Sequence, residues 1–179
     1  QTLREQIERC KQILSTLASA AGETRVESGR RLPLDTYLDE LMQRWRAMRP
    51  SATLHYRAAG TAAAPEIVAE QTLSQAILSI LNNAADVSPH DVAVQAHWDD
   101  SAFTLEVRDR GPGLAPGADR RVGREPFSTK TAGEGMGLGL FLAHATVERL
   151  GGNVWLTDVE QGGACCRIVL PLAPLCVAV

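Results

Sequence analysis

Four glycines occur at every second position immediately before a stretch with helical sequence, a pattern that few folds accommodate. They are Gly133, Gly135, Gly137 and Gly139. Without side chains, their backbone amides can approach a ligand closely, and the first amides of a helix have no partner inside the helix. The positive end of the helix dipole also attracts anions. The pattern therefore predicts a helix N-terminus that binds phosphate oxygens, and the alternative is a flexible surface loop.

The surroundings of these glycines indicate an anion site but exclude the common phosphate motifs. Residues 108–130 contain six basic residues against three acidic ones. The sequence has no Gly-Lys pair and therefore no P-loop, and no G-x-G-x-x-G register that would indicate a dinucleotide-binding fold. The H-R-D and D-F-G strings of protein kinases are also absent. The segment 109–134 is long enough to be either functional or disordered.

Adjacent asparagines, Asn82 and Asn83, lie near the end of a predicted helix, and Asp86 follows three positions after the second. Asn favours helix ends over helix interiors, and residues three apart share a helix face. The Asn amide oxygen is a hard ligand suited to Mg²⁺, which keeps waters and phosphates as its other ligands. The segment is therefore a candidate metal site, or simply a helix that frays into its cap.

A second polar segment, Asp109 to Gly113, directly follows a predicted strand. A carboxylate at this place can accept a hydrogen bond from an exocyclic amine. Gly111 and Gly113 let the chain turn sharply and approach a ligand without a Cβ. An ordinary β-turn explains the same pattern, so this segment alone does not decide between the two.

Composition excludes several classes of protein. The chain has 179 residues, of which 45% are hydrophobic, which is enough for one domain with its own core. A net charge of −3 argues against a nucleic-acid partner, and no apolar run is long enough for a membrane span. The four cysteines form no C-x-x-C pair, so a zinc site is not expected. The sequence has no initiator Met and begins in helical sequence, so we interpret it as part of a longer protein.

Apolar periodicity predicts an α/β chain with a separate N-terminal helix at 1–21. Its apolar residues have the a/d spacing of a helical bundle, and the alternative is one amphipathic helix on a globular core. A polar linker is expected at 22–31. The rest of the pattern predicts one sheet with a helical layer on one face. We expect helices at 34–48, at 66–86 and from 135–139 to 150. A strand is expected at 53–57. Two hairpins are expected, one formed by 92–98 with 103–107 and the other by 154–157 with 164–170.

Taken in order, these segments resemble the ATP-binding domain of bacterial sensor histidine kinases, in the gyrase, Hsp90, histidine kinase and MutL superfamily. The segment around Asn83 resembles the N box, and Asp109 to Gly113 resembles the G1 box. Residues 125–130 resemble the F box, and residues 135–140 resemble the G2 box. The resemblance covers about residues 31–172, and four boxes in the right order make coincidence a poor explanation.

The resemblance implies an α/β fold, a two-layer sandwich of a mixed β-sheet and three helices, that binds Mg-ATP under a mobile lid. By matching position, Asn83 would coordinate Mg²⁺, Asp86 would belong to the nucleotide site, and Asp109 would bind the adenine amine. Gly111 and Gly113 would shape the adenine pocket. The phosphate contacts would come from Thr129, Lys130 and the backbone amides of Gly135, Gly137, Leu138 and Gly139.

Ser79 departs from the family pattern, because the N box usually has Asn four residues before the metal-binding Asn. In the ATPase branch of the superfamily this position holds a Glu that activates water, and Ser cannot be a base of that strength. The resemblance therefore implies that ATP is held for transfer. An anti-sigma-type serine kinase of the same superfamily and a nucleotide-binding module without transfer activity are the alternatives.

The N-terminal helix lies where such kinases place the second helix of their dimerisation hairpin. The first helix would carry the phosphoacceptor His, and none of the four histidines here matches the acceptor pattern, so we expect the acceptor upstream of Gln1. The four are His55, His90, His97 and His144. The implied domains are the end of the dimerisation hairpin at 1–21, a linker at 22–31, the ATP-binding domain at 32–172 and a tail at 173–179.

Residues 4–14 further resemble the RegB/PrrB group of redox-responsive sensor kinases, in which a Cys of this helix takes part in oxidation-dependent control. This implies a redox role for Cys10 and a full-length protein in the inner membrane, of which this chain is a cytoplasmic part. It also implies a homodimer through the dimerisation helices and a response regulator as partner. We expect Cys165, Cys166 and Cys176 to be structural. Cys165 and Cys166 are adjacent on a predicted strand and so point to opposite faces of a sheet, and Cys176 lies near the C-terminus after Pro174.

Overall fold

Seven strands and three helices are present in the part of the chain that the computed structural model describes, residues 30–114, 138–160 and 162–176. In chain order they are β1 (Arg30–Pro33), α1 (Leu34–Met48), β2 (Leu54–Gly60), β3 (Glu66–Ala69), α2 (Gln71–Val87), β4 (Val92–Trp98), β5 (Ala102–Arg108), α3 (Leu138–Arg149), β6 (Asn153–Asp158) and β7 (Ala164–Pro171).

The main sheet has five strands in the order β2-β4-β5-β7-β6. Strands β2 and β4 are parallel, and the other neighbouring pairs are antiparallel. The sheet is therefore mixed, as the resemblance implies, and the two predicted hairpins are confirmed. A separate two-stranded sheet is formed by β1 and β3, which pair antiparallel.

One face of the main sheet is covered by the helices and the other is open. In β4, Val92, Val94, Ala96 and Trp98 are buried, while the alternate residues Gln95 and His97 are exposed. This period of two is typical of a strand with one face on a core. The apolar stripes of the helices complete the same core, and α2 packs closely against α3. Helices α2 and α3 therefore lie side by side on this face, with α2 against β4 and β5 and α3 against β6.

Two expectations about local structure are wrong, and they have one cause. Residues 66–69 form strand β3 instead of the start of a helix, and the helix begins at Gln71. Arg30 and Arg31, placed in a polar linker by the sequence, belong to strand β1. Leu32 pairs with Ile67 across these strands, and both side chains are buried. Each strand has only four residues, so the pairing partner rather than the local pattern decides their conformation.

The other predicted elements that fall within the described residues agree with the structure, and the helix predicted at 1–21 lies outside them. The helix at 34–48 is confirmed, and the hairpin strands extend one residue or so beyond the predicted ends. The predicted strand at 53–57 is observed at Leu54–Gly60. In the expected tail, Leu175 is buried and its carbonyl accepts a hydrogen bond from the N–H of Val68. Among the residues described, no helix combines the length and apolar character needed to cross a lipid bilayer.

Candidate nucleotide site

Asp109 follows β5 directly and is held in place by hydrogen bonds to two parts of the chain. Its Oδ1 accepts the backbone N–H of Gly111 at 2.8 Å and that of Ala164 at 3.2 Å. Its own backbone N–H donates to the Ala164 carbonyl at 3.0 Å. Within the described structure, both hydrogen bonds to the carboxylate use Oδ1. This arrangement fixes the side chain at the end of the sheet and leaves Oδ2 for a ligand.

Glycines shape the turn after Asp109 because the chain packs tightly there. Gly113 has φ +80°, and a Cβ on it would lie 2.7 Å from Oδ1 of Asp158. The same carboxylate oxygen accepts the N–H of Leu114 at 2.7 Å. Gly163, with φ +91°, packs directly on the carbonyl of Asp109, so that a Cβ there would overlap it. Gly163 was not among the predicted site residues, although its place in a Gly-Gly turn is a visible signal.

The C-terminal end of α2 lies beside this turn. A Cβ on Gly111 would come within 2.9 Å of Cγ2 of Val87, the last residue of α2. Asn83 and Asp86 lie on the preceding turn of the helix, and both are exposed. The structure therefore brings two of the sequence-predicted segments together, although Asn83 and Asp109 are 26 positions apart in the sequence.

The first turn of α3 completes the arrangement. A Cβ on Gly139 would overlap Oγ of Ser79 and would lie 4.0 Å from Nδ2 of Asn83. The last glycine of the alternating run therefore faces α2 at the level of Asn83. Ser79, the position that departs from the family pattern, is the residue against which Gly139 packs.

Helix α1 supports the C-terminal end of α2 through two side-chain contacts that sequence reasoning did not identify. Nε1 of Trp45 donates to Oδ1 of Asn82 at 3.1 Å, and Nη2 of Arg49 donates to Oδ1 of Asp86 at 2.8 Å. The donors are four residues apart on α1, and the acceptors are four residues apart on α2. These contacts fix the side chains of Asn82 and Asp86, which lie on either side of Asn83 along α2.

A further ion pair ties the Asp109 turn to the start of the adjacent strand. Nε of Arg110 lies 2.6 Å from Oδ2 of Asp91, the residue before β4. Nε2 of His55 lies 3.9 Å from the other oxygen of that carboxylate. The turn is thus fixed on both sides of Asp109, by β7 and by the entry to β4.

Not every predicted site residue falls in the described part of the chain. Asn83, Asp86, Asp109, Gly111, Gly113 and Gly139 do, and they lie around one end of α2 and α3. Leu138 is the first residue of α3. Thr129, Lys130, Gly135, Gly137 and Cys10 lie outside the described residues.

The few possible protein ligands fit a metal ion that takes most of its ligands from a bound phosphate compound and from water. The described residues hold no group of three or more His, Cys, Asp or Glu side chains that could bind a metal ion. Asn83 is exposed, and its side-chain amide lies near Gly139 at the start of α3, so its oxygen is a candidate metal ligand. Mg²⁺ tolerates such a site, since it is usually bound by one or two protein ligands together with phosphates and waters.

The cysteines of β7 face opposite sides of the sheet, as predicted. Cys166 belongs to the core, where burial raises the pKa of its thiol to about 12. Cys165 lies on the open side beside Arg108, and burial also raises the pKa of its thiol. Both thiols are therefore protonated at neutral pH, which agrees with a structural role.

Comparison with known proteins identifies the family of the domain. Residues 68–174 match the family described as histidine kinase-, DNA gyrase B- and HSP90-like ATPase. A probable sensor histidine kinase from Mycobacterium tuberculosis is 33% identical over 165 residues, which cover 88% of this chain and 41% of that protein. The sensor histidine kinase RegB of Cereibacter sphaeroides is 26% identical, over 98% of this chain and 42% of RegB. The chain thus spans about two-fifths of the length of these relatives.

Solved structures share the fold. The mycobacterial sensor histidine kinase MprB superimposes with a TM-score of 0.62 at 25% identity, covering 79% of this chain and 97% of that structure. The Acinetobacter baumannii histidine kinase AdeS gives a TM-score of 0.68 at 17% identity, covering 93% and 80%. The chain belongs to the histidine kinase-, DNA gyrase B- and HSP90-like ATPase family, and its domain is an ATP-binding domain of the histidine kinase type.

Proposed function

We propose that this chain is the catalytic ATP-binding part of a two-component sensor histidine kinase. It binds Mg-ATP and transfers the γ-phosphoryl group to a His on the dimerisation helix upstream of this chain. The observation that carries the proposal is the meeting of the Asp109 turn, Asn83 and the start of α3 at one place. The names of the relatives support the kinase assignment.

Each of the converging segments binds a different part of the nucleotide. Oδ2 of Asp109 accepts the exocyclic amine of adenine, since Oδ1 is occupied by backbone N–H groups. Gly111 and Gly113 line the adenine pocket. The start of α3 directs its free backbone amides, including those of Leu138 and Gly139, toward the phosphates. Gly135 and Gly137, just before α3, and Thr129 and Lys130 add phosphate contacts.

Asn83 binds the metal ion at the phosphate end of the nucleotide. Asp86, three residues further along α2, is oriented by Arg49. Bound Mg²⁺ would supply neutralisation of charge on the phosphate oxygens. Phosphoryl transfer depends mainly on positioning and charge stabilisation, so the site needs no strong base. Ser79 fits this requirement, because it cannot activate water for hydrolysis as a Glu would.

The full-length protein is a homodimer in the inner membrane that passes the phosphoryl group to a response regulator. Support comes from the relatives, which are named as sensor kinases and are more than twice as long as this chain. The redox-responsive group is supported by the match to RegB over 98% of the chain.

Binding measurements on two variants test the site. Asp109→Asn should weaken ATP binding about 10- to 100-fold and reduce the preference for ATP over GTP, because a charged acceptor for the adenine amine is lost. Asn83→Ala should remove the magnesium dependence of ATP binding. Calorimetry with ATP and GTP, with and without Mg²⁺, measures both effects. Asp100→Asn and Asn153→Ala, which are exposed and lie elsewhere, are the matched controls. Unchanged ATP binding in either site variant contradicts the role given to that residue.

The redox proposal concerns Cys10, and its test requires the complete cytoplasmic region of the protein. Oxidation should produce a crosslink or sulfenic adduct at Cys10 and lower autophosphorylation, and Cys10→Ala should remove both effects. A non-reducing gel and a radiolabelled ATP assay measure them, with Cys176→Ala as the control. If oxidant does not change the activity of the wild-type protein and no Cys10 product forms, Cys10 has only a packing role.

A further inference from the structure

The hairpin of β6 and β7 holds the turn after β5 at both of its ends. At the first end, Ala164 of β7 donates its N–H to Oδ1 of Asp109 at 3.2 Å and accepts the N–H of Asp109 at 3.0 Å. At the second end, Oδ1 of Asp158 accepts the N–H of Leu114 at 2.7 Å. Asp158 is the last residue of β6 and pairs with Ala164 in the register of the hairpin. One strand pair therefore fixes where the turn begins and where it ends.

Asp158 also lies against the backbone of the turn itself. A Cβ on Gly113 would come within 2.7 Å of Oδ1 of Asp158, and Gly113 has φ +80°. Glycine adopts this backbone conformation readily and leaves room for a close neighbour. The carboxylate thus occupies the place that a side chain at position 113 would take, next to the N–H that it accepts from Leu114.

The arginines near Asp158 do not explain its position. Arg108 and Arg167 line the same cleft as Asp158, but each donates a hydrogen bond to Glu106 at 2.7 Å. The hydrogen bond of Asp158 instead reaches a backbone N–H that is 44 positions away in the sequence. Hydrogen bonds from a neutral donor to a carboxylate are stronger than those between two neutral groups. This contact is therefore suited to ordering the turn.

We infer that Asp158 is a positioning residue for adenine recognition. The inference rests on the proposed function, in which Oδ2 of Asp109 accepts the adenine amine. Oδ1 of Asp109 is held by the N–H of Gly111 at 2.8 Å, so the direction of Oδ2 depends on the conformation of the turn. Asp158 fixes that conformation through Gly113 and Leu114. A recognition group that is displaced by a fraction of an ångström binds its ligand less well.

Three variants of the whole chain test this role by calorimetry with ATP and GTP, with and without Mg²⁺. Asp158→Ala should weaken ATP binding about tenfold and lower the preference for ATP over GTP by a similar factor, because an acceptor to a backbone N–H is lost. The effect of Mg²⁺ on ATP affinity should stay as in the wild type, since Asp158 contacts the turn and not Asn83. Asp158→Asn keeps an oxygen acceptor and should recover most of the affinity. Glu160→Ala removes an exposed carboxylate from the same hairpin and should bind as the wild type does.

Two further measurements separate positioning from general loss of structure. Urea unfolding should show that all three variants fold. In the nucleotide-free chain, nuclear magnetic resonance should show a large shift of the backbone amide proton of Leu114 in Asp158→Ala and a small one in Glu160→Ala.

Unchanged ATP affinity and nucleotide preference in Asp158→Ala would overturn the inference, and so would an unchanged Leu114 amide signal. A loss of affinity that is equal for ATP and GTP, or that Asp158→Asn does not reduce, would also overturn it, because the hydrogen bond would then not serve adenine recognition. Unchanged ATP binding in Asp109→Asn would instead contradict the adenine site of the proposed function, so the two failures are distinguishable.

Discussion

Gly139 determines how closely α2 and α3 approach each other at the candidate nucleotide site. A Cβ at this position would overlap Oγ of Ser79 but would lie at an ordinary 3.7 Å from Cβ of Ser79. The overlap therefore involves one hydroxyl group. A serine at position 79, smaller than the Asn expected there, is matched to the glycine that faces it.

This contact predicts that Gly139→Ala destabilises the fold by about 1–3 kcal/mol through overpacking. Helix propensity alone would favour the alanine by up to about 1 kcal/mol, so the sign of the change in the free energy of unfolding distinguishes overpacking from helix propensity. Urea unfolding of wild type, Gly139→Ala, Ser79→Ala and the double variant measures the coupling between the positions. Since Ser79→Ala removes the overlapping oxygen, the double variant should recover most of the loss. Additive effects of the two substitutions would show that the helices adjust and that the contact is not restrictive.

The side chains proposed for the site can be selected from the sequence, but the residues that support them cannot. Asn83 and Asp109 stand out because their types and local spacing suit a metal and an exocyclic amine. Gly163 and Asp158 act on the Asp109 turn from 44 or more residues away in sequence. No local pattern shows such a contact, because it depends on how β6 and β7 are placed beside β5.

At the level of elements, α1 acts as a support for the turn of α2 that carries Asn83. Trp45 is fully buried, and its indole N–H is satisfied by Asn82. Arg49 and Asp86 are about one-third exposed, so their ion pair is partly screened by solvent. The pair should therefore contribute little to stability and more to the orientation of the site.

Arg49→Gln should accordingly weaken Mg-ATP binding about threefold while changing the free energy of unfolding by less than about 1 kcal/mol. Titration of ATP in the presence and absence of Mg²⁺ measures the binding effect, and urea unfolding measures the stability. Arg44→Gln on the same helix is the control. A large loss of stability with unchanged nucleotide affinity would assign the ion pair a purely structural role.

Long periodic elements were predictable and short paired ones were not. The apolar stripe of α2, which includes Leu73, Ile77 and Leu81, is buried as its helical spacing predicts. The hairpins follow from alternation and turn residues. Strands β1 and β3 were missed because each is stabilised by pairing with the other, and α1 and β2 lie between them in the sequence. The parallel pairing of β2 with β4 likewise depends on a crossover that includes α2, which local sequence does not specify.

At the level of the whole molecule, the histidines of the described structure have places that suit structural or solvated side chains. His55 lies on β2 and His97 on β4, where Nδ1 of His97 is 3.0 Å from the Ala59 carbonyl. His144 lies in α3 with its Nδ1 3.4 Å from Glu148, and its side chain is 15% exposed. His90 lies in the turn between α2 and β4. None of these places matches an acceptor on a dimerisation helix, so the proposed kinase activity needs an acceptor from a different segment.

It follows that this chain should transfer phosphate to an added acceptor and not to itself. Incubation with γ-labelled ATP and Mg²⁺ should leave the chain unlabelled, and addition of a fragment that carries the complete dimerisation hairpin should give a labelled fragment. The label should be lost in acid and kept in base, as a phosphohistidine requires. Asn83→Ala should abolish the labelling, because the proposed metal ligand is removed, while Asn153→Ala should retain it. Stable histidine phosphorylation of the chain alone would contradict the structural placement of its four histidines. Tight ATP binding without labelling of the hairpin would instead identify the domain as a nucleotide-binding module without transfer activity.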